Sequence, residues 1–289
     1  MAGSSASLRR LGAELRRLRE ATGRTQTDIG TAIGRSHATM VSWEHGKTKI
    51  SKSDLVCLLA ELRAPVELRK GLERLREEGL RGAGEWAVYD LPGWLRPLLS
   101  FEDDAVAVTA FEPVVIPGLL QTEEYARTIH VAGPHLTAPE DVDKWVAARM
   151  RRQQRLDGKK PLALHVVIAE ASLRLQIGGQ AVTTAQIGRL LEAGRADNIT
   201  IQVLPFAAGA HPALASDFTV LHFADPKIDP PLGYYAGPLG GYLVDDEGDV
   251  AALVKMFDDV RHAALSEDDS TRMIAAILEE TTQKGTDHA

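Results

Sequence analysis

The chain holds a single cysteine, Cys57, in 289 residues. No disulfide can form within one copy, and a reducing compartment is the natural setting. Cys57 lies in the apolar stretch LVCLLAEL and is expected to be a small core residue. No apolar run approaches the roughly 18 to 20 residues of a membrane-spanning helix, and the opening MAGSSASLRR lacks the apolar centre of a signal peptide. A cytoplasmic protein is expected. Also missing are an H-E-x-x-H metal helix, a G-x-S-x-G elbow and a P-loop. These gaps argue against an enzyme, and no catalytic residue, metal or cofactor is expected.

An excess of positive charge is missing as well: the net charge is −7, which taken alone argues against a nucleic-acid partner. The distribution says otherwise. Residues 1–80 carry 15 Lys and Arg against 10 Asp and Glu, a net +5, and the remainder carries −12. A basic head on an acidic body fits DNA binding by the head. The length suits about two domains, and the reading places one at 1–78, a linker rich in Gly, Pro and Trp at 79–100, and a second domain at 101–289.

In LRRLGAELRRLREA, Leu8, Leu11, Leu15 and Leu18 make one apolar stripe of an amphipathic helix. Arg9, Arg10, Arg16 and Arg17 read as its solvated face. Thr25 can cap a second helix that presents Gln26 in its first turn. Gly34 marks a turn, and Ser36 caps a third helix reaching Glu44, with Met40, Val41 and Trp43 available for packing. His37, Ala38, Thr39 and Ser42 are left outward, with hydroxyl, imidazole and methyl groups suited to base edges. Lys47, Thr48 and Lys49 follow in a loop that can meet a phosphate backbone. Ser51 caps a fourth helix, and Pro65 opens a fifth.

Two short helices joined at a glycine are the plan of a helix-turn-helix. With Gln26 opening the second helix and Trp43-Glu44-x-Gly46-Lys47 closing the third, residues 8–76 resemble the Xre/Cro/C1 family. The resemblance implies an all-α, five-helix, lambda-repressor-like domain that binds double-stranded DNA. Carried over position by position, it implies that Gln26, His37, Ala38 and Ser42 face bases and that Thr39, Lys47 and Lys49 face phosphates. Ser36 completes this DNA-binding set as the cap of the third helix. Glu44 is expected to tie that helix into the domain. His37 and Ala38 depart from the long amides of better-known relatives, so direct readout differs here.

The second half mixes strand-like and helix-like runs without a regular β-α repeat, which reads as α+β or mixed α/β. AVAVTAFE, LALHVVIA, NITIQVLPF, FTVLHF and LGYYA read as strands. Thr122 caps one helix, Thr137 to Glu140 and Thr183 with Gln186 read as capping boxes of two more, and Ser266 with Asp269 opens the last. Among candidates for acid/base chemistry, His165 reads as a packed strand residue and His211 as part of a structural turn; Glu170 and Asp217 lie at strand ends or in loops. The run Arg149, Arg151, Arg152, Arg155 reads as a solvated helix face.

IPGLLQTEEYAR, RMRRQQRL, EASLR with Gly178-Gly179, ITIQVLPFAAGAH, FTVLHF and HAALSEDDS occur in an order similar to the DUF5753 domain that follows an Xre-type domain in many actinobacterial regulators. Where relatives often carry a glutamate after a tyrosine, this chain has Tyr234, Tyr235 and Ala236. The resemblance implies a transcription regulator, homodimeric and nucleoid-associated when bound to DNA. Its C-terminal domain would sense a ligand or a small DUF397-type partner protein; the ligand-binding residues stay unassigned. The alternative is an antitoxin-like module that sequesters such a partner and regulates its own operon.

Overall fold

The computed structural model describes residues 6–81, 89, 91–92, 94–133, 141–214, 217–226, 229–237 and 240–286. The chain divides into two compact units, one formed by 1–104 together with 224–230 and the other by 105–223 with 231–289.

The first unit opens with five helices: α1 (Ala6–Ala21), α2 (Gln26–Ala32), α3 (His37–Glu44), α4 (Lys52–Glu61) and α5 (Val66–Arg81). The stripes read from the sequence meet in one core, where Leu11, Leu15, Ile29, Met40, Leu58 and Leu72 are all at most 2% exposed. Each such side chain contributes about 1.5–3 kcal/mol through burial. Gly12 lets α1 approach α3 closely: a Cβ there would stand 2.6 Å from the carbonyl oxygens of Trp43 and Glu44. Cys57 is exposed rather than buried. It sits on the far side of α4 from Leu55, Leu58 and Leu59, because two residues along a helix turn the side chain through about 200°.

A sixth helix, α6 (Leu95–Asp104), and the segment 224–230 complete this unit. Much of the expected linker (82–88, 90 and 93) lies outside the described residues, Trp86 included; Tyr89 and Trp94 are half-buried. Two of the α1 arginines expected in solvent are engaged. Arg10 forms an ion pair with Asp229, whose side chain is only 2% exposed, and Arg9 lies over the Phe101 ring and donates to the carbonyl of Pro230 at 3.4 Å. Neither partner is close in sequence. Arg16 and Arg17 are exposed, as expected, and pair along the helix with Glu20 and Glu14.

The second unit is built on a six-stranded mixed sheet of order β3-β2-β1-β4-β5-β6. Its strands are β1 (Ala107–Glu112), β2 (Ala163–Ala169), β3 (Ile199–Leu204), β4 (Phe218–His222), β5 (Leu232–Gly237) and β6 (Gly240–Val244). β1 to β3 run parallel, and β4 to β6 add antiparallel pairs. The parallel crossovers carry α7 (Glu123–Ala132) with α8 (Val142–Gln153), then α9 (Glu170–Arg174) with α10 (Gly179–Ala193). The closing helices are α11 (Glu247–Ala263) and α12 (Glu267–Thr286). Phe111, Val167, Leu204, Phe218 and Val220 from the sheet pack with Leu253, Phe257 and Val260 of α11. Alternation along the strands turns Val108, Ala110 and Glu112 to the opposite face.

Thr122 caps α7 and Ser266 bonds Asp269 at the start of α12, as expected. The supposed box at Thr183 and Gln186 is different. α10 begins earlier, at the left-handed Gly178 (φ 76°), so both residues fall inside the helix and are buried. Gln186 donates to the Leu120 carbonyl at 2.9 Å and accepts from the Thr122 amide at 2.7 Å. The box expected at 137–140 lies outside the described residues. The arginine run of α8 is not simply a solvated face either. Arg149 donates to Gln121, in the turn that follows β1, at 2.5 Å, and Arg155, just past the end of α8, donates to the Ala105 carbonyl ahead of β1 at 2.9 Å.

Candidate nucleic-acid interface

The helix pair α2–α3 is held by its caps. The Thr25 hydroxyl accepts from the Asp28 amide while the Asp28 carboxylate accepts from the Thr25 amide, a reciprocal box. The Thr25 hydroxyl, 2.8 Å from the Asp28 carboxylate, and then the Thr25 amide hold the Asp28 carboxyl below its usual range. Gly34 turns the chain at φ 69°, where a side chain would be strained. Ser36 then caps α3 through the Thr39 amide at 3.2 Å. Fixing both ends matters because helices of 7 and 8 residues are too short to persist without caps and packing.

The buried side of α3 is Met40, Trp43 and Glu44. His37 and Ala38 are fully outward in its first turn, whereas Thr39 and Ser42 are half-buried. Their hydroxyls have internal partners: Thr39 with Ser36 at 2.9 Å, and Ser42 accepting from Thr48 at 3.0 Å. The second bond ties the loop after α3 back onto the helix, as does the Lys47 amide donating to the Ser42 carbonyl at 2.8 Å. Lys47 and Lys49 are exposed and form no ion pair with a described residue. They are cations in search of a counter-charge.

Glu44 is the internal anchor. Its side chain is fully enclosed and accepts from Arg19 Nε at 2.6 Å, Arg19 Nη2 at 3.0 Å and Gln26 Nε2 at 2.8 Å. One carboxylate therefore orients the amide of Gln26 and locks α1, α2 and α3 together. The hydrogen bond to Glu44 also raises the pKa of Arg19. Beside this node a cleft of about 440 Å³ is lined by Arg16, Arg19, Gly23, Arg24, Thr25, Gln26 and His45. It is basic and floored by the α1–α2 junction. Arg24 and His45 were not singled out from sequence; the available signal was Arg24 standing directly before the Thr25 cap.

The titratable residues considered for chemistry in the second unit do not converge. His165 pairs with Gln202 at 2.8 Å and stands edge-on to Phe257, and burial lowers its pKa. Glu170 is tied to Arg174 at 2.6 Å and to the Phe206 amide at 2.9 Å. His211 stands edge-on to Phe111, and burial lowers its pKa too. Among the described residues no group of three or more His, Cys, Asp or Glu could hold a metal ion, and no helix is long and apolar enough to cross a membrane.

Comparison with family models finds a helix-turn-helix domain over residues 10–72 and the domain of unknown function DUF5753 over residues 95–276. No curated protein and no solved structure matches the chain.

Proposed function

We propose, for a chain that belongs to the DUF5753 family and carries a helix-turn-helix domain ahead of the family region, a sequence-specific transcription regulator whose family domain dimerises and receives a signal. The helix-turn-helix domain supports DNA binding and transcription regulation as such. The finer reading rests on one observation: a capped helix pair that presents His37 and Ala38 outward, with a basic cleft beside Gln26 and two exposed lysines that have no ionic partner among the described residues. With α3 in the major groove, Gln26, His37, Ala38 and Ser42 meet base edges, Gln26 held in place by its bond to Glu44. Lys47, Lys49, Thr39 and the cleft beside Gln26 meet phosphates. Ser36 acts through the cap that sets the angle of α3.

One such head reads only a few base pairs. Dimerisation would place two of them on half-sites about one helical turn, ~34 Å, or a multiple of it apart. A mobility-shift titration against the protein's own promoter region tests this reading. His37→Ala or Ser42→Ala should cost about 1–3 kcal/mol on the specific site and little on random DNA, whereas Lys47→Ala should weaken both alike and flatten the salt dependence by about one counterion. Equal losses on both DNAs for all three variants would remove the assignment of base readers. A stoichiometric DUF397-type protein co-purifying from the native host would shift the main task to sequestration, with DNA binding kept for autoregulation.

A further inference from the structure

β3 stands at one margin of the sheet, with β2 on one side and no described strand on the other. The parallel register fixes which of its backbone groups look outward. The Leu164 amide donates to the Asn198 carbonyl at 2.7 Å, and Leu164 is the register partner of Ile199, so Thr200 and Gln202 turn their N–H and C=O groups to β2. Ile199, Ile201 and Val203 turn theirs to the open side. Both ends of that row are filled from within the unit. The Ile199 amide donates to the Ala196 carbonyl at 3.0 Å, the Val203 amide donates to Ser270 Oγ at 2.9 Å, and the Val203 carbonyl accepts from the Leu265 amide at 2.9 Å.

Between these ends, the Ile199 carbonyl and both backbone groups of Ile201 have no hydrogen-bond partner among the described residues. Ile199 and Ile201 are only 8% and 6% exposed, and unpaired backbone groups on residues so little exposed cost free energy. The same two residues line a cavity of about 280 Å³ shared with the end of α10 and the start of α12. Its apolar wall is completed by Leu190 and Ile274, both buried. Arg195 and Glu267 line it too; both are exposed, and neither forms an ion pair with a described residue. The volume stands near the lower end of the ~300–1,000 Å³ of small-molecule sites, so a compact ligand fits it better than a folded partner does.

We propose that this cavity receives a free di- or tripeptide with apolar side chains. Its backbone N–H and C=O pair with Ile201 as an added strand does, its carboxylate meets Arg195, its ammonium meets Glu267, and its side chains lie on the wall of Leu190 and Ile274. Each demand narrows the choice. A hydrocarbon leaves the Ile201 groups unmet, a single amino acid has no peptide unit between its charges, and an internal stretch of a longer chain brings no termini to Arg195 and Glu267. That the peptide is a signal to the DNA reader rests on the reading of this domain as the receiving part of the regulator.

The test is calorimetric titration of the full chain with leucyl-leucine, with leucine, glycyl-glycine and N-acetyl-leucyl-leucinamide as comparators. Leucyl-leucine should bind saturably, about tenfold or more tighter than each of the three. Arg195→Gln and Glu267→Gln, at exposed positions, should each weaken it about tenfold, with folding checked by circular dichroism. Hydrogen exchange at the Ile201 amide should slow about tenfold or more at saturating leucyl-leucine. No binding of leucyl-leucine, equal binding of leucine, glycyl-glycine or the capped peptide, undiminished affinity in both charge variants, or unchanged exchange at Ile201 would each overturn the site. A parallel mobility-shift assay separates the two readings. Leucyl-leucine that binds without changing DNA retention leaves the site standing and removes only its coupling to DNA, and absent DNA retention in every sample counts against the DNA reading alone.

Discussion

Removing the Glu44 carboxylate should unfasten the DNA-binding unit. Glu44→Ala deletes three donated hydrogen bonds on a side chain with no solvent exposure, and it strands Arg19, whose side chain is 12% exposed. Breaking one partner of a buried pair costs about 3–5 kcal/mol. The lower end applies, because Arg19 keeps a bond to the Arg24 carbonyl at 3.0 Å and lies 3.6 Å from Glu20. For a unit of about 100 residues, 3 kcal/mol corresponds to a midpoint lower by roughly 12–24 °C. Scanning calorimetry of the full chain measures the shift, and hydrogen exchange at α1 and α3 amides shows that the loss falls on this unit. The double variant Arg19→Met/Glu44→Leu should recover most of it, since no buried charge is left alone. A loss below about 1 kcal/mol, the range of a solvent-screened pair, or a double variant no better than the single, would refute the reasoning.

Gly12→Ala should cost about 2 kcal/mol or more by chemical denaturation, because the added methyl meets the α3 backbone rather than a movable side chain. Cys57, exposed on α4, should react stoichiometrically with a thiol-specific chromogen in the native protein; a thiol that reacts only after unfolding would contradict its placement. The second unit should show two opposed pH effects. Burial, with Arg149 adding to it, lowers His130 to about 4. The unfolded chain therefore binds the extra proton between about 6.5 and 4, and stability falls as pH drops through that window. Glu112, raised to about 8 by burial and then by Asp217, works the other way: its contribution is full below about pH 4.5 and is lost as pH rises through 8. His165, His211 and His222, also lowered by burial, act in the same direction as His130 below pH 6.5. The effect of Glu112 stands clear of them only above it, where unfolding free energy should fall from pH 6.5 to 8 by on the order of 1 kcal/mol. Glu112→Gln should abolish that decline, and His130→Phe should reduce the loss of stability below pH 6.5.

Legibility followed the range of the interactions. The caps at Thr25, Ser36, Thr122 and Ser266, and the leucine stripes of α1, α4 and α5, are local patterns repeating within a turn or two. They were readable because 3.6-residue periodicity and side-chain caps are written in adjacent residues. Glu44 as a tie was readable only through resemblance, since its partners Arg19 and Gln26 are 25 and 18 residues away. Cys57 misled because an apolar neighbourhood does not fix which side of a helix a residue takes. Thr183 and Gln186 had the spacing of a box, and only the left-handed Gly178 moved the helix start ahead of them. The strand β6, GGYLV, gave too little alternation to be read. The open edge of β3 depends on which strands pair, which no local pattern encodes.

The ion pair between Arg10 and Asp229 has a consequence for how this protein can be taken apart. The first compact unit is sewn from two stretches of chain, 1–104 and 224–230, so no single cut releases it whole. A fragment ending at Asp104 would expose Arg9 and Arg10 on α1 without the loop that they grip. The reader is thus not a detachable head, and grafting it onto another body would require carrying along seven residues encoded more than a hundred positions downstream.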